Sequence, residues 1–394
     1  MYIRSAFAAR LSILLLCGIG FSQAVGATNI QVCSNCAYRS IQSAVDAATS
    51  GDTIDIAAGR YVENVVIAGK QLTLIGAGGV FSYCSYPQST RIESACGVSE
   101  VSATPTSTSP VFALGSGLPG DTPQLITMQG LTISHGMHPG GSGVGGGVQI
   151  RAGAYLHLSN SIVAGNAAIT GGGIGVNTPG APATTISNCL IDGNGAFVTF
   201  GYDGGYPLGG GTYGGGIAVL KGSKVSIANS TITRNEADDG GGIYLDSGSS
   251  LKMTGTTVSE NTANGYFAGG YPEGASGGGL ETFGDFVITE STITGNTGLG
   301  DNGGGGLMLY LSSGGHFSIT STIMDRNIAS INGLGGGLAV SGPADTTLAL
   351  VKDFIVENQN GGVLNYGVNL VLTDTLITAN AGCQINIPGG CTIE

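Results

Sequence analysis

The constraint that most narrows what this chain can become is a repeat. A Thr/Ser-rich segment ending in Asn recurs as S-I-V-A-G-N to Asn166, C-L-I-D-G-N to Asn194 and S-T-I-T-R-N to Asn235, and again to Asn261, Asn296, Asn327, Asn358 and Asn380. Between these lie glycine runs that open a second segment: G-G-G-V at Val148, G-G-G-I at Ile174, Ile217 and Ile243, G-G-G-L at Leu280, Leu307 and Leu338, and G-G-V at Val363. The arc from a glycine run to the next Asn is nearly constant, as from Gly147 to Asn166 or Gly216 to Asn235. The arc from Asn to the next run absorbs the length variation, being shortest from Asn358 to Gly362 and longest from Asn194 to Gly216. A coil of about 20 residues with two or three short strands is a β-helix rung. Insertions held to one corner then project from one side of the rod.

Side-chain parity agrees. Ile243-Tyr244-Leu245-Asp246 and Leu307-Met308-Leu309-Tyr310 alternate with period two, which turns the branched residues inward. The position three before each Asn is Val163, Ile191, Ile232, Val258, Ile293, Met324, Ile355 or Ile377, so a closed coil stacks like on like. The 73 glycines are interleaved with Ile, Val and Leu, and mean hydropathy is positive, which separates the chain from disordered low-complexity sequence. Ser40 to Ala48 reads as a short amphipathic helix capping the open end, where an unpaired strand would invite association. The expected fold is all-β: a single right-handed parallel β-helix over 28–394, with a long insertion at 79–124 and a C-terminal cap at 381–394.

The first 27 residues have another character. Arg4 and Arg10 flank a short apolar core, and small residues follow at Ala24, Val25 and Ala27. This is the order of a secretory signal peptide, with cleavage expected after Ala27 and Ala24 as second choice. Cys17 is a poor lipidation site because bulky Leu16 precedes it. Removal of 1–27 takes Arg4 and Arg10 and no acid, so 13 basic residues become 11 against 25 acidic ones, a net charge of −14. Such a balance argues against nucleic acid as partner. The mature chain has no apolar stretch of membrane-spanning length. The expected location is extracellular or in the cell envelope.

The opening I-Q-S-A-V-D-A-A…G-D-T-I-D-I-A-A-G-R-Y-V-E-N…L-T-L-I-G resembles the entry coils of pectin-lyase-like β-helix proteins. The N…GGG[IL] repeats are similar to those of the polymorphic outer-membrane-protein family, whose passenger domains act in adhesion. Both resemblances imply the fold more than any activity. The chain departs from the second family in having no region after the repeats that could form a membrane barrel.

The recurrent asparagines read as a structural corner, where Asn tolerates left-handed backbone and bonds its neighbours. In an oxidising compartment, Cys33/Cys36, Cys84/Cys96 and Cys383/Cys391 are the expected disulfides. Cys189 takes the place of Ser161, Ser230 and Ser291 and is expected to be a buried small residue. His135 and His138 are the one close histidine pair, without an acid beside them to complete a metal site.

Candidate chemistry lies on the outward row after the glycine runs. There the aromatics Tyr244, Phe283 and Tyr310 and the acids Asp246 and Glu281 concentrate, beside the two longest inserts. These share G-G-Y-P and add Tyr202, Tyr206, Tyr266 and Tyr271. Exposed aromatics among acids suit sugar rings, and the competing reading is that they pack the inserts onto the rod. Asp246 and Glu281, with Asp239 preceding a glycine run, are the catalytic candidates if the protein is an enzyme. A diagonal spacing of roughly 8 Å between Asp246 and Glu281 falls in the range of inverting glycosidases. Neither a His nor a basic clamp accompanies these acids, as polygalacturonase-like chemistry would want. No cofactor is expected; Ca2+ is the one ion the acids could take up.

Two functions follow as expectations. One is a binding or adhesion module for a polysaccharide or cell-surface glycan; the other is an extracellular polysaccharide lyase or glycoside hydrolase. Outward Tyr244 and Tyr310 are expected to matter for ligand and little for stability. N-terminal sequencing of the exported protein should begin at Thr28; a chain starting at Met1, or a lipid on Cys17, would overturn the processing site.

Overall fold

The computed structural model describes residues 26–78, 98–139, 143–196, 211–268, 271–273, 276–300, 303–330, 335–387 and 390–392. Three long parallel sheets run side by side along a rod. Sheet I has 12 strands, from Asn29–Val32 to Asn369–Thr373; sheet II has 11, from Gly59–Val62 to Leu376–Thr378; sheet III has 12, from Val65–Ile67 to Gly390–Thr392. A fourth ladder of seven two-residue strands, Met137–His138 to Ile328–Ala329, follows the asparagine corner. One coil illustrates the path: Lys224–Ala228 in sheet I, Thr231–Thr233 in sheet II, Glu236–Ala237 in the fourth ladder, then Ile243–Leu245 in sheet III. The chain is the stacked parallel coil that the repeat implied.

Register places like on like. Ile174, Ile217, Ile243, Leu280, Leu307, Leu338 and Val363 stand on one another in sheet III, all fully buried. Stacks of this kind fill the interior and supply most of the apolar burial that drives folding.

The asparagine corner is a continuous hydrogen-bonded ladder. Asn235 N and Nδ2 both donate to Asn261 Oδ1 at 2.9 Å, and Asn261 N and Nδ2 both donate to Asn296 Oδ1 at 3.0 Å. The second amide hydrogen of Asn261 goes back to Ile232 O at 2.9 Å, so its side-chain amide is fully used. The ladder runs from Asn166 to Asn380 and ends on Gln384 Oε1. One expectation needs correction. The ladder asparagines are not left-handed; the residue before each is, as at Arg234 (φ 53°), Glu260 (φ 54°) and Arg326 (φ 54°). Asn is there for its amide.

The glycine runs leave room for these amides. A Cβ on Gly242 would lie 2.6 Å from Gly279 O and 3.0 Å from the Asn261 amide, and Gly240 has φ +59°. On the opposite corner Cys189 is buried in a hydroxyl column, its N bonded to Ser230 Oγ and its Sγ 3.2 Å from Ser187 O. Burial pushes its thiol up to about 11, so the group stays protonated and unreactive.

At the first coil the helix Ile41–Ala47 buries Ile41, Ala44 and Val45. Ser40 caps it, Glu63 accepts from Ile41 N and Gln42 N, and Lys70 Nζ donates to the carbonyls of Val45, Asp46 and Ala48. An acid at the N-terminus and a base at the C-terminus match the helix dipole. The coils also continue through the second half of the stretch expected as one long insertion. Ser99–Ser102 joins sheet II and Phe112–Leu114 joins sheet III, because Val101, Phe112 and Leu114 keep the inward apolar phase. At the far end Ile385–Ile387 continues sheet III, and Gly390–Thr392 reverses against it. Cys33 and Cys36 form a disulfide and Cys383 is disulfide-bonded. Cys84 and Cys96 lie outside the described residues, as does the side chain of Cys391.

Ile243→Ala or Leu309→Ala should cost about 2–5 kcal/mol in urea unfolding. Asn261→Ala should cost a comparable amount, since it strands two donors of Asn235 in the interior. An Asn261→Ala loss below ~1 kcal/mol would show that the ladder is not a stabilising element.

Candidate functional site

The outward row of sheet III is built as the alternation implied, but it is covered. Gln149, Gly175, Ala218, Tyr244, Glu281, Met308 and Ala339 are in register along it. Over it lies a second column from the residues just before each glycine run: Val144, Thr170, Tyr213 and Asp239 bridge one another in sequence. Gly240 N then donates to Ser276 O, so Ser276 holds the equivalent place one coil on. A Cβ on Gly175 would come within 2.4 Å of Val144, which shows how closely this column overlies the row of the next coil. By the same offset Tyr213 meets Tyr244, their ring centroids 4.7 Å apart.

Two consequences revise the sequence reading. Glu281 faces away from the interior and is yet only 4% exposed. The aromatics also use their faces on one another: Phe283 and Tyr310 stack at 4.5 Å with planes 4° apart, and Tyr244 lies 6.1 Å from Phe283. Because these contacts run from coil to coil, Phe283 and Tyr310 stand across the rod axis and turn edges outward. Tyr244 and Tyr310 are half-buried, and Phe283 is the exposed member. Tyr310 also packs against Met308, Ala339 and Leu364. Tyr310→Ala should therefore cost about 1–3 kcal/mol of stability, against the small effect expected of a free outward ring.

The acids divide into two environments. Asp239 and Glu281 share the covered seam, with Ser276 Oγ donating to Glu281 Oε1 at 3.3 Å. Asp239 Oδ1 and Glu281 Oε2 are buried without a hydrogen-bond partner among the described residues. Burial, reinforced by the charge of Asp238, pushes Asp239 up to about 7. Burial and then Asp239 push Glu281 well above the carboxylate range. Burial likewise raises the hydroxyls of Tyr213, Tyr244 and Tyr310, with the acids adding to it. Two like charges in a dry seam cannot both be held, so at neutral pH the pair retains a proton. Asp246 is separate: its Oδ1 caps Ser247 N and Oγ at the solvent edge. The Asp238 carboxylate is taken up by Thr212 N.

The ion pairs among the described residues involve Arg60, His135, Arg234 and Arg326, and none reaches Asp239 or Glu281. Arg234 is paired to Asp192 at 2.5 Å. Among the described residues no group of three or more metal-ligating side chains converges. Tyr202 and Tyr206 lie outside the described residues. Tyr266 and Tyr271 fall in a two-stranded antiparallel hairpin, Tyr266–Ala268 against Tyr271–Glu273, whose side chains are likewise outside the described set.

Towards the first coils the same face opens. A cavity of about 410 Å³ is lined by Gln149, Arg151 and Asn177 from the sheet III face, with Thr178 and the prolines 119, 123 and 179 around it. Arg151 spends one terminal nitrogen on Gly115 O, while its Nε and the Thr178 hydroxyl have no partner among the described residues. Ser276 and this cavity were missed from the sequence. Aligning each coil on its first glycine would have set Tyr213, Asp239 and Ser276 in one column.

The buried pair ties stability to pH with a definite sign. A folded-state value near 7 against 3.8 for an ordinary Asp means that the folded chain holds a proton the unfolded chain releases. The contribution is full below pH ~4 and is lost as pH rises to about 7. Asp239→Asn should flatten that fall and stabilise the protein at pH 8 by up to about 4 kcal/mol relative to its parent. Asp353, raised to about 6 by burial, acts in the same direction, so the difference between variant and parent is the readout. Equal pH profiles for the two would sink the assignment.

Residues 120–313 match the family model of the right-handed beta helix region. No curated protein matches the sequence. Among solved structures the chain is similar to a pectin methylesterase from Aspergillus niger, at 15% identity over 90% of this chain and 87% of that one, TM-score 0.36. It is similar to pectate lyase Pel9A, at 14% identity over 90% and 80%, TM-score 0.39. A third is the A-module of the mannuronan C-5 epimerase AlgE4 from Azotobacter vinelandii, at 14% identity over 90% and 94%, TM-score 0.44. Likeness at this level carries no activity across. By its matched central region and its stacked parallel sheets, the chain is a right-handed parallel β-helix protein.

Proposed function

We propose that this β-helix is an exported glycan-binding module that recognises saccharide along the outward face of sheet III. The observation that carries the reading is the open cavity lined by Gln149, Arg151 and Asn177 from the sheet III face, beside Pro119, Pro123, Pro179 and Ala181. Amide and guanidinium side chains beside proline and alanine surface suit a sugar, whose hydroxyls and apolar faces alternate. Gly175 and Ala218 are covered by the second column, and beyond them Asp246 and the exposed Phe283 reach the surface. The expectation that central tyrosines stack on sugar is replaced by recognition at the polar end. Export is supported by the N-terminal pattern and by the Cys33–Cys36 disulfide. Among the described residues no helix is long and apolar enough to cross a membrane.

A polysaccharide-cleaving activity is the second reading, because a carboxyl that keeps its proton near neutrality is the form a general acid needs. Against it stands the closure of the seam, with Glu281 buried and no cationic side chain paired to it among the described residues. A glycan array run beside reducing-end and unsaturated-product assays separates the two. The expected outcome is binding without turnover, weakened by about 1–3 kcal/mol in Arg151→Gln, with little change in Glu281→Gln. Turnover abolished by Asp239→Asn or Glu281→Gln would establish the enzyme instead.

A further inference from the structure

A second cavity lies on the outward face of sheet II, near the capped end, and shares no residue with the sheet III face. Arg60 stands in register with Glu100, and Glu100 with Thr132. Since Val101 and Ile133 fill the interior, Glu100 and Ser134 project outward; yet Glu100 is 2% exposed and Ser134 is fully buried. Ser134 Oγ donates to Glu100 Oε1 at 2.9 Å, and His135 Nδ1 lies 2.9 Å from the same Oγ. The serine has one hydrogen and gives it to the carboxylate, so Nδ1–H is the donor in the second bond. That assignment leaves His135 Nε2 free of the relay. Arg60 Nε sits 3.8 Å from Glu100 Oε2, which has no hydrogen bond among the described residues, and the Arg60 and His135 side chains are both about half exposed. They meet over a cavity of about 260 Å³ walled by Thr104, Pro105 and Met137.

We propose that this is a binding site for a single anionic substituent, a carboxylate or sulfate carried on a sugar-sized molecule. Arg60 is the anion-binding group, and His135, held through Nδ1, offers Nε2 as acceptor to a hydroxyl of the same molecule; Glu100 and Ser134 are positioning residues. A buried carboxylate that orients a partly exposed guanidinium directly and an imidazole through Ser134 forms a preorganised clamp. The guanidinium fork matches a planar or tetrahedral oxyanion, and its terminal nitrogens have no partner among the described residues. The cavity is smaller than the usual 300–1,000 Å³ of drug-sized sites, which limits the occupant to about one sugar unit. In a strongly acidic chain such a spot also gives an acidic saccharide a local landing point.

The test is a titration of the full exported chain at constant ionic strength with glucuronate, sulfate and, as neutral control, glucose, following the imidazole nitrogens of His135 by NMR. A saturable shift with either anion and none with glucose is expected. Glucuronate alone assigns a carboxylate, sulfate alone a sulfate ester, and both a general oxyanion site. Arg60→Gln should weaken binding about 10-fold or more, with Arg60→Lys intermediate; should the Gln variant fail to fold, the Lys variant carries the comparison. Glu100→Gln should alter the nitrogen shifts that report the tautomer even without ligand, which a merely structural role would not do. An equal shift with glucose, no saturable shift with either anion, or unchanged affinity in the folded arginine variants would overturn the site.

Discussion

The structure depends on one repeated interaction, the amide ladder at the corner after sheet II. Each asparagine inside the ladder accepts two hydrogen bonds from the coil before it and donates two to the coil after it, besides one to a carbonyl in the coil before. In a buried corner this saturates groups whose isolation would each cost ~1–3 kcal/mol. Saturation also sets geometry: an amide that must meet the one above it holds the coils in register. The glycines follow from it, because a side chain at Gly242 would occupy the space the Asn261 amide uses.

That register has a second effect on the outside. Once coils are stacked without slip, the residue before each glycine run overlies the outward position of the next coil. Where those residues are small, as with Val144 over Gly175, the face stays shallow. Where they are Tyr213 and Asp239 a second layer forms, and Glu281 is sealed beneath it. The rod therefore presents one continuous face with two characters: an open polar end around Arg151 and a closed aromatic seam around Tyr244.

The fold was legible because its signals are local. Inward Ile243 and Leu245 and outward Tyr244 follow from a two-residue period, and the equivalence of Cys189 with Ser230 from counting back from Asn. Exposure was not legible. Parity states that Glu281 points away from the interior but not whether another side chain lies over it. It could not show that Phe283 and Tyr310 would spend their faces on each other. The Arg60, Glu100 and Ser134 grouping was hidden for a related reason: its members are separated by irregular sequence, and only the closing of the coils brings them together.

The amino-acid sequence by itself determined the coil, its inward phase, its asparagine corner and the end that a helix covers. Each is a matter of which residue types recur at which interval along the chain. Only the tertiary structure decided which outward side chains are free, because covering a side chain takes a residue from a different coil. The offset between coils is a property of the stack and is written in no single repeat. Desolvation follows the same rule: Asp246 at the solvent edge and Asp239 in the seam are both aspartates beside a glycine-bearing turn, and only their neighbours in space give them different chemistry.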